Sequence, residues 1–142
     1  MNQATTAALA RWGMLPLRIV VAAVFLMHGG TKLFVWGLSG TTAGMTQMGI
    51  PLPGLAAVVV TFVELLGGLA ILTGCFTRWA GLLLAIDMTV AILKVRLSAG
   101  FLGGYELELT LLGAALTLAA VGAGGVSVDR LLERGKAASV AA

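Results

Sequence analysis

RIVVAAVFLMHGGTKLFVW, residues 18–36, holds nine uninterrupted apolar residues between Arg18 and His28 and then runs apolar past Lys32 to Trp36. With Leu15 and Leu17 before it, the stretch supplies the roughly 20 residues that cross about 30 Å of hydrocarbon as an α-helix. A helix is required there because its amide bonds are satisfied internally, where lipid offers no water. Arg11 and Arg18 ahead of an apolar core also fit a secretory leader. The following HGGTKLFVW lacks a small-residue cleavage pattern, however, so the segment is expected to be retained.

Three further apolar stretches follow. Together the four predict spans at about 14–35, 54–75, 78–97 and 104–123. Of the 142 residues, 59% are hydrophobic and 11% charged, far from the mixture of a soluble domain. The fold class expected is therefore all-α, an integral membrane four-helix bundle forming one domain over 1–142. The 20 glycines show no three-residue period and favour close helix approach. A single cysteine, Cys75, excludes an internal disulfide, a CxxC pair and a cysteine-rich metal centre, so neither a metal nor an electron-carrying cluster is expected. The net charge of +3 is scattered, without the basic and aromatic interleaving of a nucleic-acid surface.

Lysine and arginine accumulate on the cytoplasmic side of membrane proteins. Arg11, Arg18, Arg78, Arg130, Arg134 and Lys136 fall on the side shared by both termini, which are therefore expected to be cytoplasmic. Lys32, Lys94 and Arg96 fall on the other side, within helix ends. The uncharged connection after Trp36 predicts a short interfacial helix around TAGMTQMGI, closed by Pro51 and Pro53. The tail, 127–136, reads as an amphipathic segment on the inner surface, with Ser127 or Asp129 as N-cap.

Ionisable groups within spans are costly and usually face the bundle interior. At about 1.5 Å per residue, Glu64 and Asp87 come near the midplane and His28 about 5 Å outward; Lys32, Lys94, Arg96, Glu106 and Glu108 form a layer on the order of 10 Å outward. His28 and Lys32 share a helical face, as do Asp87 and Lys94. Glu106 and Glu108 lie about 200° apart on one helix, so a single one is expected to point inward, and Glu106, beside Tyr105, is favoured. The alternative for Lys32, Arg96 and Glu108 is snorkelling to the headgroups. For Glu64 and Asp87 it is a structural pairing. Glycines 29, 30, 67 and 68 allow either close helix contact or a slot for a flat ligand.

Arg18, HGGTKLF, GIPLP, VELLGGLAILTGCFTR (63–78), MTVAILKV, GFLGGYELEL and GAGGVSVD occur in an order that resembles the DoxX family of small four-helix bacterial and archaeal membrane proteins, over about 15–130. Ala123 stands where the family commonly has proline, and Arg96 where many relatives carry histidine. The resemblance implies a bacterial or archaeal cytoplasmic membrane and a subunit of a quinone-linked oxidoreductase system or a role in oxidative stress. Its ligand would then be a quinone, ubiquinone or menaquinone. On that reading His28 donates to a carbonyl and relays a proton, Lys32 stabilises charge developing on oxygen, and Glu64 and Asp87 supply protons. Lys94, Arg96, Tyr105 and Glu106 line the outer mouth. No electron carrier is encoded, so a redox partner protein or a soluble reductant, and a homo-oligomer, are the partners expected besides the lipid bilayer. The alternative is a non-enzymatic scaffold that assembles a larger membrane complex.

Overall fold

The computed structural model describes residues 2–132, which are helical throughout apart from short connections and contain no strand. Helix α1 (Gln3–Trp12) precedes α2 (Leu15–Gly30), which continues as a π-helical turn over Thr31–Val35. Then come α3 (Gly37–Gln47), α4 (Pro53–Thr73) and α5 (Thr77–Ala91). A second π turn (Ile92–Arg96) and an irregular connection lead into α6 (Glu106–Val121). Prolines stand in the first turns of α2 and α4, where the missing amide proton costs nothing.

Among the described residues, three segments are long and apolar enough to cross a membrane: Leu15–Val35, Pro53–Thr73 and Phe101–Val121. The segment 77–96 packs between α4 and α6 but carries Arg78, Asp87, Lys94 and Arg96, which make it less apolar than these three.

The long helices pack in a ring, α2 on α4, α4 on α5 and α5 on α6, with α6 returning to α2 over a shorter contact. Glycines set the spacing. A Cβ on Gly29 would lie 2.9 Å from the Leu65 amide nitrogen, and one on Gly81 would lie 2.8 Å from the Ala115 carbonyl oxygen. Gly67 and Gly68 are likewise filled by Leu84 and Leu26. Three of the four glycines that sequence left ambiguous therefore serve close contact; only Gly30 faces open space.

The apolar core is asymmetric. Val21, Phe25, Ile71, Leu84, Leu111, Ala115 and Leu118 are buried together, from mid-molecule toward the Arg18 end. At the opposite end, no residue of Thr31–Val35 is buried.

Arg18 holds the apolar end closed. Only 2% exposed, its guanidinium donates to the carbonyls of Ile71 (2.9 Å), Leu72 (2.7 Å), Ala123 (3.0 Å) and Val126. These are carbonyls of the last turn of α4, where intrahelical donors run out, and those of the loop following α6. Gly74, at φ +71°, ends α4, and any side chain there would collide with Arg18 and Ser127. Asp129 completes the joint by accepting from the amides of Phe76 (2.8 Å) and Thr77 (3.2 Å) at the start of α5. The chain after α6 is thus fastened into the helix ends through Ala123, Val126 and Asp129. Ser127 caps its own short helix at 128–132 by accepting from the Arg130 amide, while Asp129 caps α5. The remainder of the predicted segment 127–136, with Arg134 and Lys136, and the side chain of Arg11 lie outside the described residues.

Helix α3 is longer than TAGMTQMGI implied. It starts at Gly37, whose φ of +67° makes the turn after Trp36, and buries Thr41 and Met45.

Candidate functional site

In an α-helix each Cα–Cβ bond tilts toward the N-terminus. Helices α2 and α4 run antiparallel, so their side chains lean toward each other across the seam. Gly29 of α2 lies at the level of Glu64, whose Cβ is 3.1 Å from where a Gly29 Cβ would stand. Lys32 starts three residues further along, about 4.5 Å nearer the far end. Its stem leans back, Glu64 leans forward, and Lys32 Nζ donates to Glu64 Oε2 at 2.6 Å.

Glu64 is 4% exposed. Asp87, on α5, is half-buried and interacts electrostatically with both Glu64 and Lys32. Its Oδ2 is buried without a hydrogen-bond partner among the described residues. Thr61, one turn from Glu64, is fully buried with an equally unpartnered hydroxyl. His28 interacts electrostatically with Glu64, yet its ring is exposed. Side chains from α2, α4 and α5 thus converge at mid-depth around one buried ion pair that leaves polar atoms unsatisfied, which is unusual in a protein interior.

The π turn is part of the design. Single π turns concentrate at functional sites because they disturb the regular carbonyl ladder and re-aim side chains. Here the turn carries Lys32, and the Lys32 carbonyl accepts from the Thr41 hydroxyl at 3.1 Å, so α3 buttresses it. Sequence reading missed both π turns and Thr61, because neither periodicity nor composition marks a one-residue change of pitch.

The outer group is organised differently from the sequence expectation. Glu106 is exposed and accepts from the Gly103 amide at 3.3 Å, closing the turn that starts α6. Glu108 is the better shielded carboxylate. Its Oε1 meets Arg96 Nε at 3.3 Å, and its Oε2 is buried with no hydrogen-bond partner among the described residues. The inward assignment to Glu106 is therefore corrected to Glu108: the glycine-rich turn takes Glu106 as its acceptor and rotates Glu108 toward α5. Lys94 is exposed and makes no ion pair among the described residues, so Lys94, Arg96 and Glu106 do not form one network. Tyr105 stacks edge-on against Phe101, with ring centroids 5.6 Å apart. Among the described residues no group of His, Cys, Asp and Glu could hold a metal ion.

The DoxX family model matches residues 13–97, from the start of α2 through the second π turn. The chain belongs to the DoxX family. It is 34% identical to "Putative oxidoreductase CatD" of Bacillus subtilis (strain 168), over 87% of this chain and 90% of that one. It is 35% identical to inner membrane protein YqjF of Escherichia coli (strain K12), over 86% and 93% of the two chains. A second protein of that strain, inner membrane protein YphA, is 28% identical over 82% and 88%. No solved structure matches. With three apolar helices long enough to span among the described residues, and relatives named as inner membrane proteins, this DoxX protein is a multi-pass protein of a bacterial or archaeal cytoplasmic (inner) membrane.

Proposed function

We propose that this DoxX protein is the membrane subunit of a quinone-linked oxidoreductase system and binds a quinone, or a similar small apolar carbonyl compound, beside Lys32 and Glu64. The observation that carries this reading is the ion pair Lys32–Glu64, accompanied by the unpartnered Asp87 Oδ2, at a depth where polar groups are costly. An ammonium has three donors, of which Glu64 Oε2 takes one. The others suit a carbonyl oxygen. His28 supplies a further donor, and Asp87 and Glu64 are the groups placed to hand over protons. A bound quinone would take up two electrons and two protons to become a quinol. The protons come through these carboxyls, and the electrons from a partner protein or a soluble reductant. The name of the Bacillus subtilis relative, which calls that protein an oxidoreductase, agrees with this assignment.

Binding of decylubiquinone to the purified protein in lipid nanodiscs, followed by quenching of Trp12, Trp36 and Trp79, tests the proposal. Asp87→Asn and Glu64→Gln are expected to weaken binding by roughly tenfold or more, about 1.4 kcal/mol or above, with helicity unchanged. An unmodified protein that binds no quinone at all would sink the reading and leave the scaffold alternative standing.

Within the same reading, 77–96 is the fourth span and both termini are cytoplasmic. Arg78 and Arg130 lie at the termini's end, while Lys94 and Arg96 lie at the other. Arg18 counts less toward orientation, because its charge is buried among carbonyls. A C-terminal green fluorescent protein fusion should fluoresce and an alkaline phosphatase fusion at the same point should be inactive; the reverse pattern refutes this orientation.

A further inference from the structure

The Lys32–Glu64 pair is enclosed. Glu64 is buried, Asp87 Oδ2 is shielded, and Thr61 and Ala57, one and two turns from Glu64 toward the start of α4, have no exposure at all. What covers that part of α4 is α3. Neither π turn packs closely on α4, whereas α3 does, and α3 also packs on the π turn that carries Lys32. A ligand the size of a quinone ring therefore reaches the pair only when a covering element moves.

The hold of α3 is light. Its inward face is Leu38, Thr41, Thr42 and Met45, of which only Thr41 and Met45 are buried. Leu38 and Met45 are its only large apolar side chains, so little apolar area fastens it. Gly40 and Gly44 inside it weaken the helix further. Among the described residues, its one hydrogen bond to another element is that of the Thr41 hydroxyl to the Lys32 carbonyl, 3.1 Å. Thr42 and Thr46 of the same helix donate instead to the carbonyls four residues back. Thr41 finds its distant acceptor because the π turn passes the Trp36 amide to the Thr31 carbonyl, at 3.0 Å, and so away from the Lys32 carbonyl that would receive it in a regular helix. At each end of α3 the chain turns on a positive-φ glycine, Gly37 at +67° and Gly49 at +69°. Sparse contacts between two pivots characterise elements that open locally.

We propose that α3 is a lid over the Lys32–Glu64 site, latched by Thr41, which swings on Gly37 and Gly49 to admit a quinone and closes over it. This inference rests on the quinone reading above and adds how an enclosed pair is reached. The latch is placed on the Lys32 carbonyl. Opening therefore releases the backbone of the same residue whose ammonium meets the ligand, and closing fixes it again.

Alkylation of a cysteine placed under α3 tests this. In a Cys75→Ser background in lipid nanodiscs, Met45→Cys should react with N-ethylmaleimide only while α3 is lifted, so its rate reports the open fraction. Thr41→Val keeps the shape of the side chain and removes the latch; it should raise that rate roughly fivefold. Thr41→Ser retains the hydroxyl and should stay within about twofold of the parent. Saturating decylubiquinone should lower the rate by roughly fivefold or more. Thr46→Cys, exposed on the same helix, should respond to none of these changes, and circular dichroism checks that each variant folds. A Met45→Cys rate unmoved by Thr41→Val, or unmoved by bound decylubiquinone, makes α3 a fixed wall and overturns the lid while quinone binding stands. If Thr41→Val does not fold, the decylubiquinone arm on the parent decides alone. A parent protein that binds no decylubiquinone overturns both.

Discussion

Replacing Arg18 by leucine is expected to lower the thermal midpoint of the detergent-purified protein by on the order of 10 °C and to expose residues 122–132 to protease. Four carbonyls lose the guanidinium at once: Leu72 at the end of α4, Ala123 and Val126 in the loop after α6, and Ile71, which keeps only the Gly74 amide at 3.3 Å. Hydrogen bonds to a charged group contribute about 1.5–3 kcal/mol each, and buried carbonyls left bare cost about 1–3 kcal/mol. Water at the helix ends would restore part of this, so a net loss of roughly 3–5 kcal/mol is the expectation. Arg18→Lys should recover little, because an ammonium is one point of charge whereas the guanidinium fork reaches two segments in two directions. Arg78→Leu, at an exposed arginine on the same end, serves as the control and should move the midpoint by no more than about 2 °C. If Arg18→Leu melts with that control, the clasp described here has no energetic weight.

That clasp shows where sequence reading stops. Arg18 reads as one more positive charge before an apolar run, and the rule for topology gives it a role that needs no partner. Its partners are backbone carbonyls 53 and 105 residues away, and carbonyls carry no signature in a sequence. Asp129 shows the same limit. It was legible as a capping residue, since aspartate before an apolar turn caps helices, but the helix it caps is α5 rather than its own. The apolar segments themselves were legible because lipid admits few backbone solutions, and their observed limits differ from expectation by a few residues. Glu64 and Asp87 stood out because charge at mid-span is rare, but Lys32 was expected in the outer layer and instead reaches back to Glu64. Which of Glu106 and Glu108 turned inward was not, because a Gly100–Gly104 connection with two positive-φ glycines sets the phase of α6.

Lys32→Met is expected to cost more than any change at an exposed charge, about 3–5 kcal/mol, because it strands Glu64 in the interior without its partner. Glu64 has no way out: its side chain is 5% exposed, whereas that of Lys32 is 16% exposed and sits on a flexible stem. Glu64→Leu should therefore cost less, roughly 1–2 kcal/mol, since the freed ammonium can swing toward solvent. Removing both partners decides what the pair is for. An apolar replacement of a buried ion pair is often neutral or stabilising, so Lys32→Met with Glu64→Leu should recover most of the stability lost in Lys32→Met alone. A coupling energy of about 2 kcal/mol or more from the four-protein cycle would measure this. The same three variants should all lose quinone binding, because none retains both the donor and the carboxyl. Stability restored in the double variant with binding still absent is the result that separates a ligand site from a structural brace. If the double variant regains neither, the pair fixes helix register, and the scaffold reading takes over at this position.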